Sequence, residues 1–384
     1  MTNKIENSIL VINTGSSSVK FQVFSRTPSL ELLAQGKVSD LGSSPLFSAV
    51  NERQEFAVNQ SEKIELPADY DHEKALHFIL HWIEAQNQHW QVDTVTHRIV
   101  HGGTRFTSSV IITPEVMTYL RELCPLAPLH QPHNLIAIDM FSTLKPDLMQ
   151  IACFDTAFHA NHDPLFTEYA LPQTIRDKGI RRYGFHGLSY EWIAHFLRRH
   201  EPDLARGRIV AAHLGNGASL CAMHNGISMD TTMGMTALDG LPMGTRCGAL
   251  DPGAVIYMIR ELNLSPDDAE SILYHESGLL GLSDWTHDVR LLQDSNEPNA
   301  RFALDYFCMR TAQLAGMMVV ALGGVDGVVF TGGIGENSNL IRDTILRHLD
   351  FLKPFEVHVI QANEERMMAM HTISALENHK EKHR

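Results

Sequence analysis

The second half of this chain starts much as the first half does, and that repetition constrains its fold more than any other feature. An apolar run, Ile9–Asn13, stops at Asn13-Thr14-Gly15-Ser16-Ser17-Ser18 and resumes as the alternating stretch Val19–Phe24. Past the midpoint, Ile209–His213, the turn Gly215-Asn216-Gly217-Ala218-Ser219 and Leu220–Met223 repeat the succession. An apolar run broken by small polar residues and then resumed reads as a β-hairpin. Helices are interleaved with these strands. Ala75, Phe78, Ile79, Trp82 and Ile83 have helical spacing, with Asp71 as N-cap. A strand, Gln150–Phe154, ends at Asp155, and a turn, Tyr183–Gly187, precedes a helix near Ser189–Arg199. A further strand, Gly327–Phe330, runs into the glycine-rich turn Thr331–Asn337, followed by a helix through Leu340, Ile341, Ile345 and Leu346. The expectation is two α/β domains of related design, divided near residue 155, with glycine turns facing one cleft.

Composition narrows the function. With 44% hydrophobic and 20% charged residues, the 384-residue chain can bury a full core in each half. A net charge of −14 argues against a nucleic-acid or anionic-membrane binder, which needs a basic face. Five cysteines, an odd number without a C-x-x-C pair, suggest neither a disulfide framework nor a cysteine zinc site. The first residues lack a signal-peptide core and Leu314–Val325 is too short to span a bilayer, so a cytoplasmic protein is expected.

Three strand-turn segments, Gly15–Ser18, Gly215–Ser219 and Gly332–Asn337, combine glycines with hydroxyl or amide residues, which lets backbone N–H groups close on phosphate oxygens. One such turn is usually a plain connector; three point to a nucleotide. Neither a G-x-x-x-x-G-K-[ST] loop nor a dinucleotide-type G-x-G-x-x-G unit is present. Cationic candidates are His97-Arg98 with His101, Arg181-Arg182, and Arg246 beside Gly244; any one arginine taken singly is more often a surface or stabilising residue. Asp155 closes an apolar strand, the usual place for a functional residue in such a sheet, a solvated carboxylate being the plainer alternative. The 22 histidines include no H-E-x-x-H, and no G-x-S-x-G elbow occurs. Met317-Met318 and the Trp82/Ile83 stripe read as core. A catalytically silent nucleotide sensor and a metal-dependent hydrolase stand as alternatives from other classes.

Taken together, VINTGSSSVKF (11–21), HRIVHGG (97–103), APLHQPHN (127–134), FDTAFH (154–159), RRYGFHG (181–187), AHLGNGAS (212–219), MGTRCG (243–248) and FTGGIGEN (330–337) closely resemble the acetate and propionate kinase family, from Val11 to about Met370. The resemblance implies two duplicated actin-like, ribonuclease-H-like domains, residues 1–154 plus about 366–384 and about 155–365, with the nucleotide in the cleft between them, and a homodimer. It implies ATP and ADP as co-substrates, Mg²⁺ or Mn²⁺ as the metal, and no nucleic-acid or membrane partner.

By position, Asp155, Arg98, Arg246 and His186 correspond to the family's catalytic residues. Lys20, Ser16, Ser18, His213, Leu214, Gly215, Asn216, Gly217, Asp288, Val289, Arg290, Gly333, Ile334, Gly335, Glu336 and Asn337 correspond to its nucleotide contacts. Arg98, Val100, Leu129, His130 and Phe185 match its acid pocket, and Asn13 and Glu364 its metal-side residues. The chain departs from the family at GFHGLSY, where GFHGTSH is usual, so Leu188 and Tyr190 replace a threonine and a histidine. It also departs at Ala237, where proline is common, at VIQANEE in place of VIPTNEE, and in a shortened stretch between Leu349 and Val357. The reaction the resemblance implies is transfer of a phosphoryl group from ATP to acetate, with propionate as second substrate.

Overall fold

The computed structural model describes residues 6–15, 17–52, 62–85, 90–128 and 130–382. The chain forms two compact units, Met1–Ala157 with Asn363–Arg384, and Phe158–Ala362. The first is built on a sheet of β1 (Glu6–Thr14), β2 (Val19–Ser25), β3 (Leu32–Ser39), β4 (Leu46–Asn51), β5 (Glu62–Glu65), β6 (Trp90–Ile99), β7 (Val110–Ile111) and β8 (Met149–Phe154), in the order β5-β4-β3-β2-β1-β6-β8-β7. The expected first hairpin is β1–β2, antiparallel, with Asn13 opposite Lys20. β1 then pairs parallel with β6, and β6 with β8. Ile9, Leu10, Val11 and Ile12 are all buried because this central strand is covered on both faces. Leu10 and Ile12 share a core with Leu76, Ile79 and Phe141 of helices His72–Ala85 and Gln131–Leu144. On the opposite face, helix Glu364–Lys382 meets the sheet through Asn13–Glu365 and Thr96–Thr372 hydrogen bonds.

The second unit carries β9 (Arg208–Leu214), β10 (Ala218–His224), β11 (Ile227–Thr231), β12 (Gly327–Thr331) and β13 (Glu356–Val359), in the order β11-β10-β9-β12-β13. β9 pairs antiparallel with β10 and parallel with β12, and β12 pairs parallel with β13. This reproduces the succession β3-β2-β1-β6-β8 of the first sheet strand for strand, so the duplication expected from the hairpins extends to five strands. β4, β5 and β7 are additions to the first unit alone. Tyr190, Ile193 and Leu197 of helix Gly187–His200 pack on Ile209 and Ala211 of β9.

Two local readings need correction. Gly332–Asn337 is not an open turn but a short helix. Glycines make poor helix, and this one is held by side chains: from outside, Arg342 donates to the carbonyls of Gly335 (2.7 Å) and Glu336 (2.9 Å), and its own last residue, Asn337, donates to that of Gly333 (2.9 Å). Met317 is 43% exposed and only Met318 belongs to the core. Among the described residues no helix is long and apolar enough to cross a membrane.

Candidate active site

In the first unit the expected residues converge on Arg98. β6 and β8 are parallel neighbours, which brings Arg98, near the end of one, beside Asp155, just past the end of the other. Arg98 Nε donates to Asp155 Oδ1 (2.9 Å) and Oδ2 (3.2 Å), and Nη2 to Oδ2 (2.9 Å). Its third nitrogen, Nη1, donates to Glu364 Oε2 at 3.1 Å. The three side chains are only 15, 4 and 13% exposed, so the charges meet largely out of water. Burial works against the Arg98 charge, but the Asp155 and Glu364 carboxylates outweigh it and hold the guanidinium above its ordinary range. Burial, the larger effect, raises the Asp155 carboxyl against the lowering pull of Arg98; accepting with both oxygens from one guanidinium is nevertheless the geometry of a carboxylate.

The two glutamates that open helix Glu364–Lys382 divide their work. Glu364 holds Arg98, and Glu365 Oε1 accepts from Asn13 Nδ2 at 3.2 Å. Asn13 ends β1 where the hairpin loop begins, and the loop closes through Gly15 N–H donating to Ser18 O (2.8 Å). Exposed Lys20 lies opposite Asn13 and lines, with Glu365, Lys37 and Lys63, a cavity of about 360 Å³. The HRIVHGG segment is fixed by helix Gln131–Leu144. Asn134 accepts from Val100 N–H (3.0 Å) and donates to Thr14 O (3.0 Å), while Gln131 accepts from His101 N–H (3.1 Å). Val100 is half-buried, and His130 occupies the position before the helix without a side-chain bond to its first turn. Ser16 and Leu129 lie outside the described residues. His97 and His101 are not cations at neutral pH, because burial pulls both down to about 4.

In the second unit the residues gather around His186, which precedes helix Gly187–His200 in the left-handed region at φ 57°. Its Nδ1 lies 2.9 Å from Ser219 Oγ, and its ring stacks on His213 with centroids 4.3 Å apart. A Cβ on Gly217 would stand 3.3 Å from His186 Nε2, tighter than most side chains tolerate, so a residue without one lets the second turn lie against the ring. That turn closes as the first does, with Gly215 N–H donating to Gly217 O (3.0 Å). The MGTRCG segment leans on it: Gly244 N–H donates to Asn216 O (3.1 Å), and a Cβ on Gly244 would collide with Asn216 Oδ1. Arg246 Nη1 donates to the carbonyl of Ala237 (3.1 Å), the family-divergent position, and burial pulls its guanidinium below the ordinary value, opposite to Arg98. An arginine stays charged even so.

Beneath His186 lies a polar network that sequence reasoning missed. His159 Nε2 is 3.0 Å from the carbonyl of buried Phe185, which can only accept, so that nitrogen carries the proton. His159 Nδ1 must then accept from Ser228 Oγ (2.8 Å), whose oxygen in turn accepts from His162 Nε2 (2.6 Å). Burial keeps both rings neutral, His159 at about 4 and His162 at about 3. Arg182, a cationic candidate by sequence, is structural: it donates to Thr231 O (2.9 Å) and pairs with Asp239.

The remaining nucleotide candidates divide. Leu214 ends β9 buried, and Gly215 lies near Gly333 N, so two of the glycine segments approach each other. Glu336 is occupied within the unit, its Oε1 accepting from Gly332 N–H (3.0 Å) and Ala362 N–H (2.9 Å). Ile334 is half-buried and Gly335 buried. Asp288 caps helix Val289–Asp294 and pairs with exposed Arg290 (2.7 Å); the Arg290 side-chain and backbone hydrogen bonds hold the Asp288 carboxyl down at about 2. Val289 is buried.

Known proteins resemble this chain over most of its length. The Acetokinase family profile matches residues 8–378. Acetate kinase of Nitrobacter hamburgensis is 44% identical over 392 aligned residues, covering 96% of this chain and 96% of that protein. Acetate kinase of Rhodopseudomonas palustris is 45% identical over 354, covering 90% of this chain and 86% of the relative. Among solved structures, a propionate kinase from Francisella tularensis superposes with a TM-score of 0.88 at 30% identity, over 95% of this chain and 98% of that one. Porphyromonas gingivalis acetate kinase gives 0.85 at 33%, over 96% and 100%. The duplicated α/β fold, the matched profile and the relatives agree, and this chain belongs to the acetokinase family.

Proposed function

We propose that the protein is a short-chain carboxylate kinase that transfers the γ-phosphoryl group of ATP directly, in line, to acetate, giving acetyl phosphate and ADP, with propionate as second substrate. The observation that carries this reading is the buried Arg98, fixed by Asp155 and Glu364 beside the Asn13 hairpin. The nucleophile, a carboxylate with a pKa of about 4 to 5, is already ionised at pH 7, so no general base is needed. The difficulty is repulsion between two anions. Arg98 and Arg246 are the cations suited to offset it and His186 adds a hydrogen-bond donor; groups fixed in advance act most strongly when negative charge spreads over the transferring oxygens. Asp155 then serves by orienting Arg98.

Asn13 and Glu364 would hold Mg²⁺. Both offer oxygen donors, and this ion takes one or two protein oxygens alongside phosphates and water. Among the described residues no group of three or more His, Cys, Asp and Glu side chains is set to hold a metal. When bound, the ion neutralises phosphate oxygens. The nucleotide is assigned to the Gly215–Gly217 and Gly333–Asn337 segments with His213, Lys20, Ser18, Asp288 and Arg290, and the acid to Val100, His130 and Phe185. A homodimer is part of the reading. Phe302 (55% exposed), Tyr306, Met309, Met317 and Val320 (81% exposed) follow one face of helix Pro298–Leu322 and support it.

The test is a hydroxamate assay for acyl phosphate with Mg-ATP and acetate, propionate or butyrate in parallel. Product with acetate, and less with propionate, is expected; none with any acid overturns the reading.

A further inference from the structure

We propose that Tyr190 is a positioning residue for His186: through Ser219 it fixes the proton of the imidazole on Nε2, the nitrogen turned toward the Gly215–Gly217 segment. This deepens the carboxylate-kinase reading and rests on it for its catalytic meaning. Tyr190 and Ser219 are both fully buried. The phenol oxygen lies 2.5 Å from Ser219 Oγ, and Ser219 Oγ lies 2.9 Å from His186 Nδ1. Tyr190 follows His186 by four residues at the start of helix Gly187–His200, so both side chains reach β10 from the same helix face.

A serine hydroxyl has one proton to give. The phenol is the more acidic of the two hydroxyls, so Tyr190 donates to Ser219. Ser219 then donates its proton to His186 Nδ1, which must accept, and the ring hydrogen is left on Nε2. That atom faces the space the missing Gly217 Cβ leaves open. A donor there suits a phosphoryl oxygen; an unprotonated nitrogen would repel it. His213, stacked on His186, is held separately by Ser189 Oγ at 2.8 Å from its Nδ1. The helix thus serves His213 directly through Ser189 and His186 at one remove through Tyr190 and Ser219 of β10, and Tyr190, one of the departures from the family pattern, keeps a donor at its position.

The test uses Tyr190→Phe, which removes one oxygen and keeps the ring packed against His159. Two-bond ¹H–¹⁵N spectra of histidine-labelled protein at neutral pH, with His186 assigned by its loss in His186→Gln, report which nitrogen is protonated. Expected is a proton on Nε2 in the wild type, a mixed population in Tyr190→Phe, a kcat about 10-fold lower with KM for ATP within 2-fold, and recovery of most of kcat in Tyr190→His, whose ring N–H can again donate. A proton on Nδ1 in the wild type, or a Tyr190→Phe protein with unchanged kcat and tautomer, overturns the proposal. If the wild type makes no acyl phosphate yet holds the Nε2 proton and loses it in Tyr190→Phe, the positioning stands and the kinase reading falls.

Discussion

The two units share five strands and a hairpin, yet they immobilise their key side chains by opposite means. In the first unit Arg98 is gripped by two carboxylates in a nearly dry setting. In the second, His186 is held by neutral hydroxyls, and Arg246 by a backbone carbonyl. A charge fixed by charges is rigid but unforgiving, because removing the arginine leaves two buried carboxylates facing each other uncompensated. A ring fixed by hydroxyls loses only a hydrogen bond when one is removed. One scaffold therefore supports a brittle site and a tolerant one.

The largest effect should come from breaking the grip itself. Asp155→Ala leaves Arg98 to Glu364 alone and is expected to cost the first unit about 1.5 to 3 kcal/mol, the scale for hydrogen bonds to a charged group, in urea titrations. The milder Asp155→Asn should still damage turnover more than His130→Ala, and the reverse ranking would contradict the orienting role. Next, Arg98→Ala or Arg246→Ala should each lower kcat at least ~10²-fold in the hydroxamate assay, as expected when a preorganised charge is lost; near-normal turnover in either removes that residue from the mechanism. Chelation should abolish acyl phosphate formation, and either Mg²⁺ or Mn²⁺ should restore it. Acid should affect both units alike. His97, His101 and His159 titrate near 4 when folded but about 6.5 when unfolded, so the unfolded chain binds more protons between those values. Stability is complete above about pH 6.5 and erodes as the pH falls toward 4, by at most roughly 3 kcal/mol per histidine. A midpoint in urea that stays level from pH 7 to 5 would show these rings to be charged in the native state.

Both hairpins were legible in the sequence because their pattern is local: apolar runs interrupted by small polar residues. Asp155 was legible as a strand-end residue, but its grip on Arg98 was not, since it depends on β6 and β8 being parallel neighbours. Glu365 was overlooked beside Glu364, because adjacent glutamates in a first helical turn look interchangeable until the strands beneath assign one to Arg98 and the other to Asn13. The glycine-rich 332–337 segment read as a turn because its propensity is that of a turn; the arginine ten residues beyond Gly332 that makes it a helix acts from outside it. The Ser228 network escaped notice because His162 and Ser228 carry no motif, and His159, which ends the FDTAFH block, meets them only through the fold.

The first unit is assembled from both sides of the second, and this sets an order on the making of the site. On the ribosome Arg98 and Asp155 emerge early, while Glu364, 266 positions after Arg98, comes only once the whole second unit has been synthesised. The nascent first unit thus holds its arginine by a single carboxylate, and its sheet lacks the helix that covers Asn13 and Thr96. Completion of that site reports that translation has passed residue 363, so a chain stopped before that point would carry an unfinished first unit.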